Sequence, residues 1–264
     1  MPFPRTPSPS LPAAVFFDMD DTIFDHSLTC RAAIARVRRR HSVLRAVALD
    51  ELWREYQASM ERTHPDVMKG RLTGQQARDA RWNRLLAHHG PAVAPSVARA
   101  LSEQYRAEYL KLQRAVPGAA ALLRYLHGKT TIAIVTNNEV AEQERKLRFL
   151  GIEKLIDHLV VSEEVGVGKP DPRIFRVALR RAGARARESV MIGDSWANDV
   201  LGARAAGIRP IWFNRFRLPQ PAAPPAEEIA SFAPLGSAAR SIAHGAAAGA
   251  APVRIISRAP MQTR

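Results

Sequence analysis

With 264 residues, of which 46% are hydrophobic, the chain has enough apolar side chains for a globular core, which excludes a wholly disordered or fibrous protein. Its single cysteine, Cys30, excludes an intramolecular disulfide and a thiolate metal cluster, so a bound metal would be held by oxygen or imidazole. No apolar run approaches the length of a membrane-spanning helix, and the N-terminus lacks an apolar secretory core. We therefore expect a cytoplasmic protein without a membrane partner.

The chain is strongly basic, with a formal net charge of +14 at pH 7. The excess is nearly all arginine and is spread from end to end. The densest run, Arg36–Arg40, lies in a predicted helix without the interleaved aromatic side chains on which single-stranded nucleic acids stack. We therefore interpret this charge as a solvated helix face, with attraction of phosphorylated substrates as the alternative, and do not expect nucleic acid as a partner.

The first predicted element is a buried strand that ends in carboxylates. Residues 1–12 are rich in Pro and Ser and are expected to form a disordered leader. The apolar run 13–17 predicts a strand, and Asp18, Asp20 and Asp21 follow it directly. Unpaired carboxylates are too costly to bury, and the first two share a face of an extended chain. They predict a ligand site suited to a cation at a strand end, with a plain acidic turn as the alternative.

A helical segment follows, from residue 25 to residue 113. Apolar residues recur there at three- and four-residue spacing, which is typical of helices that bury one face. Breaks near residues 64–65, 72–74 and 90–91 divide the segment into about four predicted helices. Because it contains no convincing strand, this segment predicts a separate all-helical subdomain inserted after the first strand.

From residue 114 to residue 245, predicted helices and strands alternate, which is typical of a parallel sheet with crossover helices. The predicted strands cover residues 131–135, 159–161, 190–192 and 210–213. A possible short helix lies near Glu227 to Phe232. The predicted fold class is α/β, a Rossmann-like doubly wound parallel sheet built from residues 13–24 and 114–245, with the inserted helices at residues 25–113. Residues 246–264 are expected to form a disordered tail.

The ends of the predicted strands and the loops beyond them bring unusual polar residues to one edge of this sheet. They are Asp18 and Asp20, Thr136 and Asn137, Lys169, and Asp194 with Asp199. Each has an ordinary explanation on its own: Lys169 could be a solvated loop residue, while Thr136 or Asp194 could cap a helix. Their combination in this order favours a catalytic site.

The motifs from Asp18 to Asp199 resemble the four motifs of the haloacid dehalogenase-like hydrolase superfamily. The resemblance covers roughly residues 13–36 and 114–214, and the helical segment occupies the place of that superfamily's first-type cap. The stretch VSEEVGVGKPDP, residues 161–172, is similar to the branch that includes a bacterial pyrimidine 5′-nucleotidase and acylneuraminate 9-phosphatases.

The resemblance implies a phosphoryl-transfer site with two catalytic carboxylates. Asp18 would attack as the nucleophile, whereas Asp20 would donate a proton to the leaving alcohol and later accept one from water. Halide displacement needs no proton, and the dehalogenases of the superfamily lack a carboxylate at the position of Asp20, so this residue favours a phosphatase. Thr22 is expected to orient the loop, and Asp21 receives no catalytic role. His26 either contacts the substrate or caps the following helix.

The same resemblance implies a source of positive charge, because a phosphomonoester is doubly anionic near neutral pH and repels a carboxylate. Mg²⁺ would bind one oxygen of Asp18, the backbone carbonyl of Asp20 and the side chain of Asp194. Asp199 would not bind the cation directly but would accept hydrogen bonds from metal-bound water or from Lys169. The phosphate-binding residues implied are Thr136, Asn137 and Lys169.

The sequence thus predicts a Mg²⁺-dependent phosphatase that hydrolyses a nucleoside monophosphate or a sugar phosphate through an aspartyl-phosphate. A phosphotransferase of the β-phosphoglucomutase type is one alternative, because Asp18 and Asp20 serve both reactions. A non-catalytic basic binding protein is the alternative from another class, although Asp18, Asp20, Lys169 and Asp194 are all present. No feature of the sequence selects an oligomeric state.

Overall fold

The strands of this protein form one parallel sheet. A computed structural model describes residues 10–91, 93–221 and 225–243, and six strands lie within them. The strands are Ala14–Phe17 (β1), Thr131–Thr136 (β2), His158–Val161 (β3), Ser189–Gly193 (β4), Arg209–Phe213 (β5) and Glu227–Ile229 (β6). Their order is β3-β2-β1-β4-β5-β6, so the chain leaves the central strand β1 first in one direction and then in the other. This order confirms the predicted doubly wound α/β fold, and β1 to β5 match the five predicted strands.

Local sequence signals set several of the helix ends. The helices are His26–Arg38 (α1), Ser42–Arg45 (α2), Leu49–Met68 (α3), Gly74–His89 (α4), Pro95–Lys111 (α5), Ala119–Leu126 (α6), Val140–Leu150 (α7), Ser162–Val165 (α8), Pro172–Ala182 (α9), Gly202–Ala205 (α10) and Leu235–Ile242 (α11). Thr73 and Gln76 exchange hydrogen bonds of 2.8 and 3.2 Å in a capping box that starts α4. Gly151 and Gly183 adopt the left-handed conformation that ends α7 and α9.

Both faces of the sheet are covered. Phe17 of β1 belongs to one buried cluster, which includes Leu122 of α6, whereas Phe16 belongs to a second cluster with Phe175 of α9. Successive side chains of a strand point to opposite faces, so a strand covered on both faces is apolar throughout. This explains the continuous apolar run before Asp18 and places that carboxylate at the carboxyl edge of the sheet.

Helices α1 to α5, residues 26–111, form a helical block between β1 and α6 in the chain. Helices α3, α4 and α5 pack around Tyr56, Trp82 and Tyr105, whose ring centroids lie 5.1 to 5.8 Å apart. All three side chains are buried. The apolar periodicity predicted from the sequence therefore produces an aromatic core within this block.

Two predictions of local structure are wrong. The predicted break at residues 64–65 is absent, because α3 continues through Pro65 to Met68. A proline removes one backbone donor, and here it does so in the last turn, where the helix is about to end. The predicted helix near residues 227–232 is replaced by β6, which pairs with β5, and the helix begins later, at Leu235. The open edge of β5 offers backbone hydrogen bonds that override the weak local helical preference.

Two of the predicted segments, the leader and the tail, lie at the ends of the chain. Residues 1–9 of the predicted leader and the whole predicted tail, residues 246–264, lie outside the described residues. The first described residue is Ser10. Pro12 is buried, and its carbonyl oxygen accepts a hydrogen bond from Thr130 Oγ1 at 2.6 Å. Across the described ranges, none of the helices combines the length and apolar character needed to cross a membrane.

Phe232 anchors the segment after β6 to the sheet, and its removal is expected to destabilise the protein. Its ring stacks on Phe213 with centroids 4.2 Å apart and meets Phe17 edge-on at 6.4 Å. Truncation of such a buried aromatic side chain leaves a cavity, so we expect Phe232→Ala to lower the free energy of unfolding by about 3–5 kcal/mol. Chemical denaturation measures this change. Phe216→Ala is the control, because Phe216 is 47% exposed; equal effects of the two substitutions would contradict the assigned anchor.

Candidate active site

Asp18 lies at the carboxyl end of β1, where its backbone still follows the sheet. Its N–H donates to the carbonyl oxygen of Ile192 in β4 at 2.9 Å. Its carboxylate accepts a hydrogen bond from Lys169 Nζ at 2.6 Å, and the same ammonium group donates to Asp199 Oδ1 at 2.6 Å. Lys169 and Asp199 are both buried. The fold therefore brings three of the predicted site residues into direct contact from separate parts of the chain.

Three carboxylates converge at this point. One oxygen from each of Asp18, Asp194 and Asp199 lies within 4.8 Å of the other two. Asp199 uses both of its oxygens within the protein, because Oδ1 accepts from Lys169 and Oδ2 accepts from the Ser195 N–H at 2.9 Å. Asp18 and Asp194 are therefore better placed to bind a cation, while Asp199 positions the lysine.

Burial and mutual repulsion make this cluster electrostatically costly. Burial raises the pKa of Asp18 to about 7, despite the opposing attraction of Lys169. Burial, together with the negative charges of Asp18 and Asp199, also raises the pKa of Asp194. Burial would lower the pKa of Lys169, but its two carboxylate partners raise it. A divalent cation would relieve the repulsion among the carboxylates, so this oxygen-rich donor set fits a hard cation.

Two side chains hold the loop that follows β1. Asp21 has a φ of 62°, a left-handed value that Asp tolerates, and its carboxylate accepts from the Ser27 N–H at 2.8 Å and hydroxyl at 2.5 Å. Thr22 Oγ1 accepts a hydrogen bond from the Asp194 N–H at 3.1 Å, which links this loop to the loop after β4. Asp21 thus serves the first turn of α1, and Thr22 connects two loops of the site.

Asp20 is held by helix α7. Its carboxylate accepts hydrogen bonds from Lys146 Nζ at 2.6 and 2.7 Å and from Gln143 Nε2 at 3.1 Å. Asn138 Nδ2 adds a further hydrogen bond at 3.2 Å. Burial would raise the pKa of Asp20, but the charges of Lys146 and His26 and the hydrogen bonds to the carboxylate lower it below its usual range. Asp20 is therefore ionised in this arrangement.

Lys146 and Gln143 are two residues of the site that the sequence motifs do not predict. Both lie on the face of α7 that also buries Leu147, so two polar residues interrupt an otherwise apolar face. The Lys146 side chain is only 1% exposed, and a lysine buried to this extent requires a carboxylate partner. That interruption is the signal that a sequence reading could have used. Gln143 Nε2 also donates to Thr136 Oγ1 at 2.9 Å, which connects Asp20 to a predicted phosphate-binding residue.

Thr136 ends strand β2 beside this network, and Asn137 follows it. Thr136 is buried and is the last residue of the strand. Asn137 forms two hydrogen bonds of 2.7 Å with the backbone of Lys169, donating from Nδ2 to its carbonyl oxygen and accepting its N–H through Oδ1. The Asn137 side chain thus fixes the lysine loop. A phosphate contact of Asn137 would have to come from its backbone amide.

His26 begins α1 and lies next to Asp20. Its Nδ1 is 3.7 Å from Asp20 Oδ1 and 3.0 Å from the hydroxyl of Tyr109, while its Nε2 is 3.4 Å from the sulfur of Cys30. Burial would lower the pKa of His26, but Cys30 and Asp20 raise it to about 9. His26 therefore adds positive charge beside Asp20 from the side of the helical block.

The site residues line one cavity of about 560 Å³, a volume that suits a small-molecule ligand. All the predicted site residues contribute from the sheet: Asp18, Asp20, Thr136, Asn137, Lys169, Asp194 and Asp199. The helical block contributes, among others, His64, Arg78, Arg81 and Arg106. The cavity thus has an acidic and lysine-bearing wall from the sheet and an arginine-bearing wall from the helices.

The family of the chain follows from a comparison with known families. Residues 12–207 match the family model of haloacid dehalogenase-like hydrolases. Because this span covers most of the chain, the protein belongs to the haloacid dehalogenase-like hydrolases. The match confirms the resemblance predicted from the motifs between Asp18 and Asp199.

Several known proteins are similar to this chain. Pyrimidine 5′-nucleotidase YjjG of Escherichia coli strain K12 is 32% identical over 208 residues, which cover 78% of this chain and 88% of that protein. Ribulose-1,5-bisphosphate 5-phosphatase of Halopiger xanaduensis is 32% identical over 203 residues, covering 76% and 84% respectively. The crystal structure of the magnesium-bound HAD-hydrolase YfnB of Bacillus subtilis superimposes with a TM-score of 0.68 at 24% identity, covering 87% of this chain and 99% of that chain. This structural likeness supports the fold.

Divalent-cation binding is expected to strengthen as the pH rises through about 7. A carboxylate binds a cation in its ionised form, and the raised pKa of Asp18, about 7, keeps it largely protonated below that pH. We expect the affinity for a divalent cation to increase by up to about tenfold per pH unit below that value through the ionisation of Asp18. Calorimetric titration with the cation, at one pH about one unit below 7 and at another about one unit above it, measures this change in affinity. Asp18→Asn is the control and should weaken binding and flatten the dependence; equal affinity of the unmodified protein at both pH values would contradict the expectation.

Proposed function

We propose that this protein is a Mg²⁺-dependent phosphatase that hydrolyses a nucleoside monophosphate or a sugar phosphate through an aspartyl-phosphate on Asp18. The observation that carries this proposal is the placement of two carboxylates on one cavity, each bound to a buried lysine: Asp18 accepts a hydrogen bond from Lys169, and Asp20 accepts one from Lys146. Two carboxylates on one cavity, one at the end of a strand and one in the loop that follows it, suit a nucleophile and an acid–base partner. The similarity to a pyrimidine 5′-nucleotidase and a ribulose bisphosphate phosphatase supports a small phosphorylated substrate.

In the first step, a carboxylate oxygen of Asp18 attacks phosphorus, and the bond between phosphorus and the leaving oxygen breaks. The leaving oxygen takes a proton from Asp20, so the product leaves as a neutral alcohol. Asp20 must gain this proton before the step. The negative phosphoryl group arriving beside it favours protonation, because it opposes the effect of Lys146 on the pKa of Asp20.

In the second step, water attacks the phosphorus of the aspartyl-phosphate and Asp20 takes the proton of that water. The bond between phosphorus and Asp18 breaks, which restores the carboxylate and releases inorganic phosphate. Lys169 stays charged throughout, because its raised pKa lies far above neutral pH. The hydroxyl of Thr136 and the backbone amide of Asn137 are the proposed donors to the phosphoryl oxygens.

The proposed Mg²⁺ ligands are Asp18, Asp194 and the backbone oxygen of Asp20. The convergence of the carboxylates of Asp18 and Asp194 and the raised pKa of both support this set, and Asp199 lies behind it, bound to Lys169. When bound, the cation would supply positive charge that offsets the repulsion between Asp18 and the phosphoryl group.

We propose further that residues 25–113 act as a cap over a catalytic core formed by residues 13–24 and 114–245. We also propose that the protein acts in the cytoplasm. Support comes from the shared cavity and from an ion pair between α5 and α7, in which Arg106 Nη2 and Glu142 Oε2 lie 2.6 Å apart. A cap that closes over a phosphoryl-transfer site excludes bulk water from the reacting groups.

The test is phosphate release by the purified protein from a panel of nucleoside monophosphates and sugar phosphates, with Mg²⁺ and with excess EDTA. We expect turnover that requires Mg²⁺ and is lost with the chelator. No turnover with any phosphomonoester would overturn the proposal. Analysis of the sugar products separates hydrolysis from phosphoryl transfer within the sugar, since the latter yields an isomer and no free phosphate.

A further inference from the structure

The wall of the cavity that comes from the helical block carries three arginines. Arg78 and Arg81 lie on α4 and Arg106 lies on α5, and all three line the cavity. The proposed phosphoryl site is formed by residues of the sheet wall. The arginines are therefore available to a part of the substrate other than the reacting phosphoryl group.

One of these arginines is already neutralised. Arg106 forms two hydrogen bonds of 2.6 and 3.2 Å with the carboxylate of Glu142, which also accepts from Arg145 at 2.6 Å. Burial would raise the pKa of Glu142, but the hydrogen bonds from Arg106 and Arg145 lower it to about 2. Glu142 is thus fully ionised and shared between two guanidinium groups, so it has little capacity to balance a further positive charge.

Arg78 and Arg81 bind only neutral groups of the protein in the described residues. Arg78 Nη2 donates to Gln75 Oε1 at 2.9 Å, and Arg81 Nε donates to Thr63 Oγ1 at 2.8 Å. The Nε of Arg78 is buried and has no hydrogen-bond partner there. Two guanidinium charges therefore face the cavity without an ion pair, and one of them has an unused donor.

Two other acids line the cavity, and neither changes this balance. Glu61 is exposed to solvent. Glu139 and Arg78 both lie beside Gly74, the first residue of α4. A Cβ added to Gly74 would be 3.3 Å from Glu139 Oε2 and 3.4 Å from Arg78 Nη1. Neither glutamate forms an ion pair with Arg78 or Arg81 among the described side chains. Burial lowers the pKa of Arg78 and the like charge of Arg106 lowers it further, despite the opposing attraction of Glu142, so a nearby anion would be favourable.

We propose that the leaving group of the substrate carries a second anionic group, a phosphate or a carboxylate, which Arg78 and Arg81 bind while the reacting phosphoryl group lies at Asp18. Guanidinium groups donate paired hydrogen bonds that match both anions. This inference rests on the proposed phosphatase function; within the proposed substrates it selects sugar bisphosphates, and it adds phosphorylated acids to them. Monoesters of uncharged sugars and nucleosides lack the second anion.

The first experiment compares matched substrates with the purified full-length protein and Mg²⁺. Fructose 1,6-bisphosphate is compared with fructose 6-phosphate, and 3-phosphoglycerate with glycerol 3-phosphate, so the two pairs separate a second phosphate from a carboxylate. Because charge-assisted hydrogen bonds are the stronger ones, we expect kcat/KM to be about tenfold or more higher for the anionic member of at least one pair. Equal values within both pairs, or a higher value for uridine 5′-monophosphate than for either anionic substrate, would overturn the inference.

Variants assign the preference to the arginines. Arg78→Met and Arg81→Met should bring the ratio of kcat/KM within the preferred pair towards one. Arg84→Met is the matched control, because Arg84 lies on the same helix but donates to Ser59 Oγ at 3.1 Å, and it should keep the ratio of the unmodified protein. Thermal unfolding checks that each variant is folded. An unchanged ratio in folded Arg78→Met and Arg81→Met proteins would overturn the assignment.

A binding experiment separates this inference from the proposed activity. Calorimetric titration of Asp18→Asn protein with fructose 1,6-bisphosphate and with fructose 6-phosphate measures recognition without turnover. We expect about tenfold tighter binding of the bisphosphate, and loss of the difference when Arg78→Met is added. Equal binding of the two sugars would overturn the inference even if the protein is a phosphatase. Preferential binding without turnover by the unmodified protein would instead overturn the proposed function alone.

Discussion

Asp18→Asn is expected to abolish Mg²⁺-dependent phosphate release, with a loss of about 10⁴-fold or more in kcat. The substitution replaces a carboxylate nucleophile with a neutral amide and removes a cation ligand at the same time. It also removes one of the two negative partners of the buried Lys169, whose ammonium lies 2.6 Å from Asp18 Oδ1 and 2.6 Å from Asp199 Oδ1. The measurement is the steady-state rate of phosphate release with the substrate that the unmodified protein turns over fastest.

Asp21→Asn is the matched control for this result. Asp21 lies in the same loop, but its carboxylate accepts hydrogen bonds from Ser27 at the start of α1. We expect its substitution to change kcat by less than about threefold, because Asn tolerates the left-handed backbone at this position and keeps a side-chain oxygen that accepts from Ser27, so the reacting groups stay in place. Near-normal turnover by folded Asp18→Asn protein, with the control also active, would contradict the nucleophile assignment.

Asp20→Asn is expected to lower kcat by about 10² to 10⁴-fold, because it removes the group that donates a proton to the leaving alcohol and later accepts one from water. The loss in the rate of the first step should depend on the leaving group, whereas the second step is the same for every substrate. A nitrophenolate leaves without a proton, so with p-nitrophenyl phosphate the first step should be largely preserved and the second step should be slow. Rapid mixing should then show a burst of nitrophenol followed by a slow steady state.

Lys146→Met is the companion variant for this assignment. Lys146 donates to both oxygens of Asp20 and lowers the pKa of that carboxyl, so its removal should move the pKa of Asp20 upward. The acidic limb of the pH profile of kcat should move to higher pH for the same reason, since Asp20 must be ionised to accept a proton from water. The absence of a burst of nitrophenol in Asp20→Asn protein would contradict an acid–base role of Asp20.

The sheet could be predicted from the sequence because each of its main strands is an uninterrupted apolar run. A strand covered on both faces, such as β1, leaves that pattern without knowledge of its partners. The short edge strand β6 could not be predicted in this way. Glu227 and Glu228 carry no apolar pattern, and the segment is a strand because β5 offers an open edge.

The predictable part of the site consists of residues that lie just beyond the ends of strands, in loops or, for Asp199, in the helical turn Trp196–Leu201. Asp18, Lys169 and Asp199 have no packing reason to occur where they do, and the topology of a parallel sheet brings such loops to one edge. Lys146 and Gln143 could not be found by that reasoning, because they project from the middle of a helix. Their contact with Asp20 depends on the angle at which α7 packs on the sheet, which the local sequence does not encode.

Asn137 shows how little a motif position says about a side chain. Its place after β2 predicts a phosphate contact through the backbone amides that follow Thr136, which stays a prediction, and its side chain holds the backbone of the Lys169 loop through two hydrogen bonds of 2.7 Å. A motif position indicates where a residue lies, whereas the role of its side chain depends on the neighbouring loop. The arginines of the helical block are a similar case, since the net charge gives no information about which arginines line the cavity.

The most direct test of the central claim, that Asp18 becomes phosphorylated during turnover, is mass spectrometry of the protein quenched in acid during steady-state turnover. We expect one added phosphoryl group on the peptide that contains Asp18, with greater occupancy in Asp20→Asn protein supplied with p-nitrophenyl phosphate and none in Asp18→Asn protein. Hydroxylamine should remove the added group, as it does from acyl phosphates. The claim is contradicted if the unmodified protein releases phosphate but phosphorylated Asp18 is found neither in that protein nor in Asp20→Asn protein.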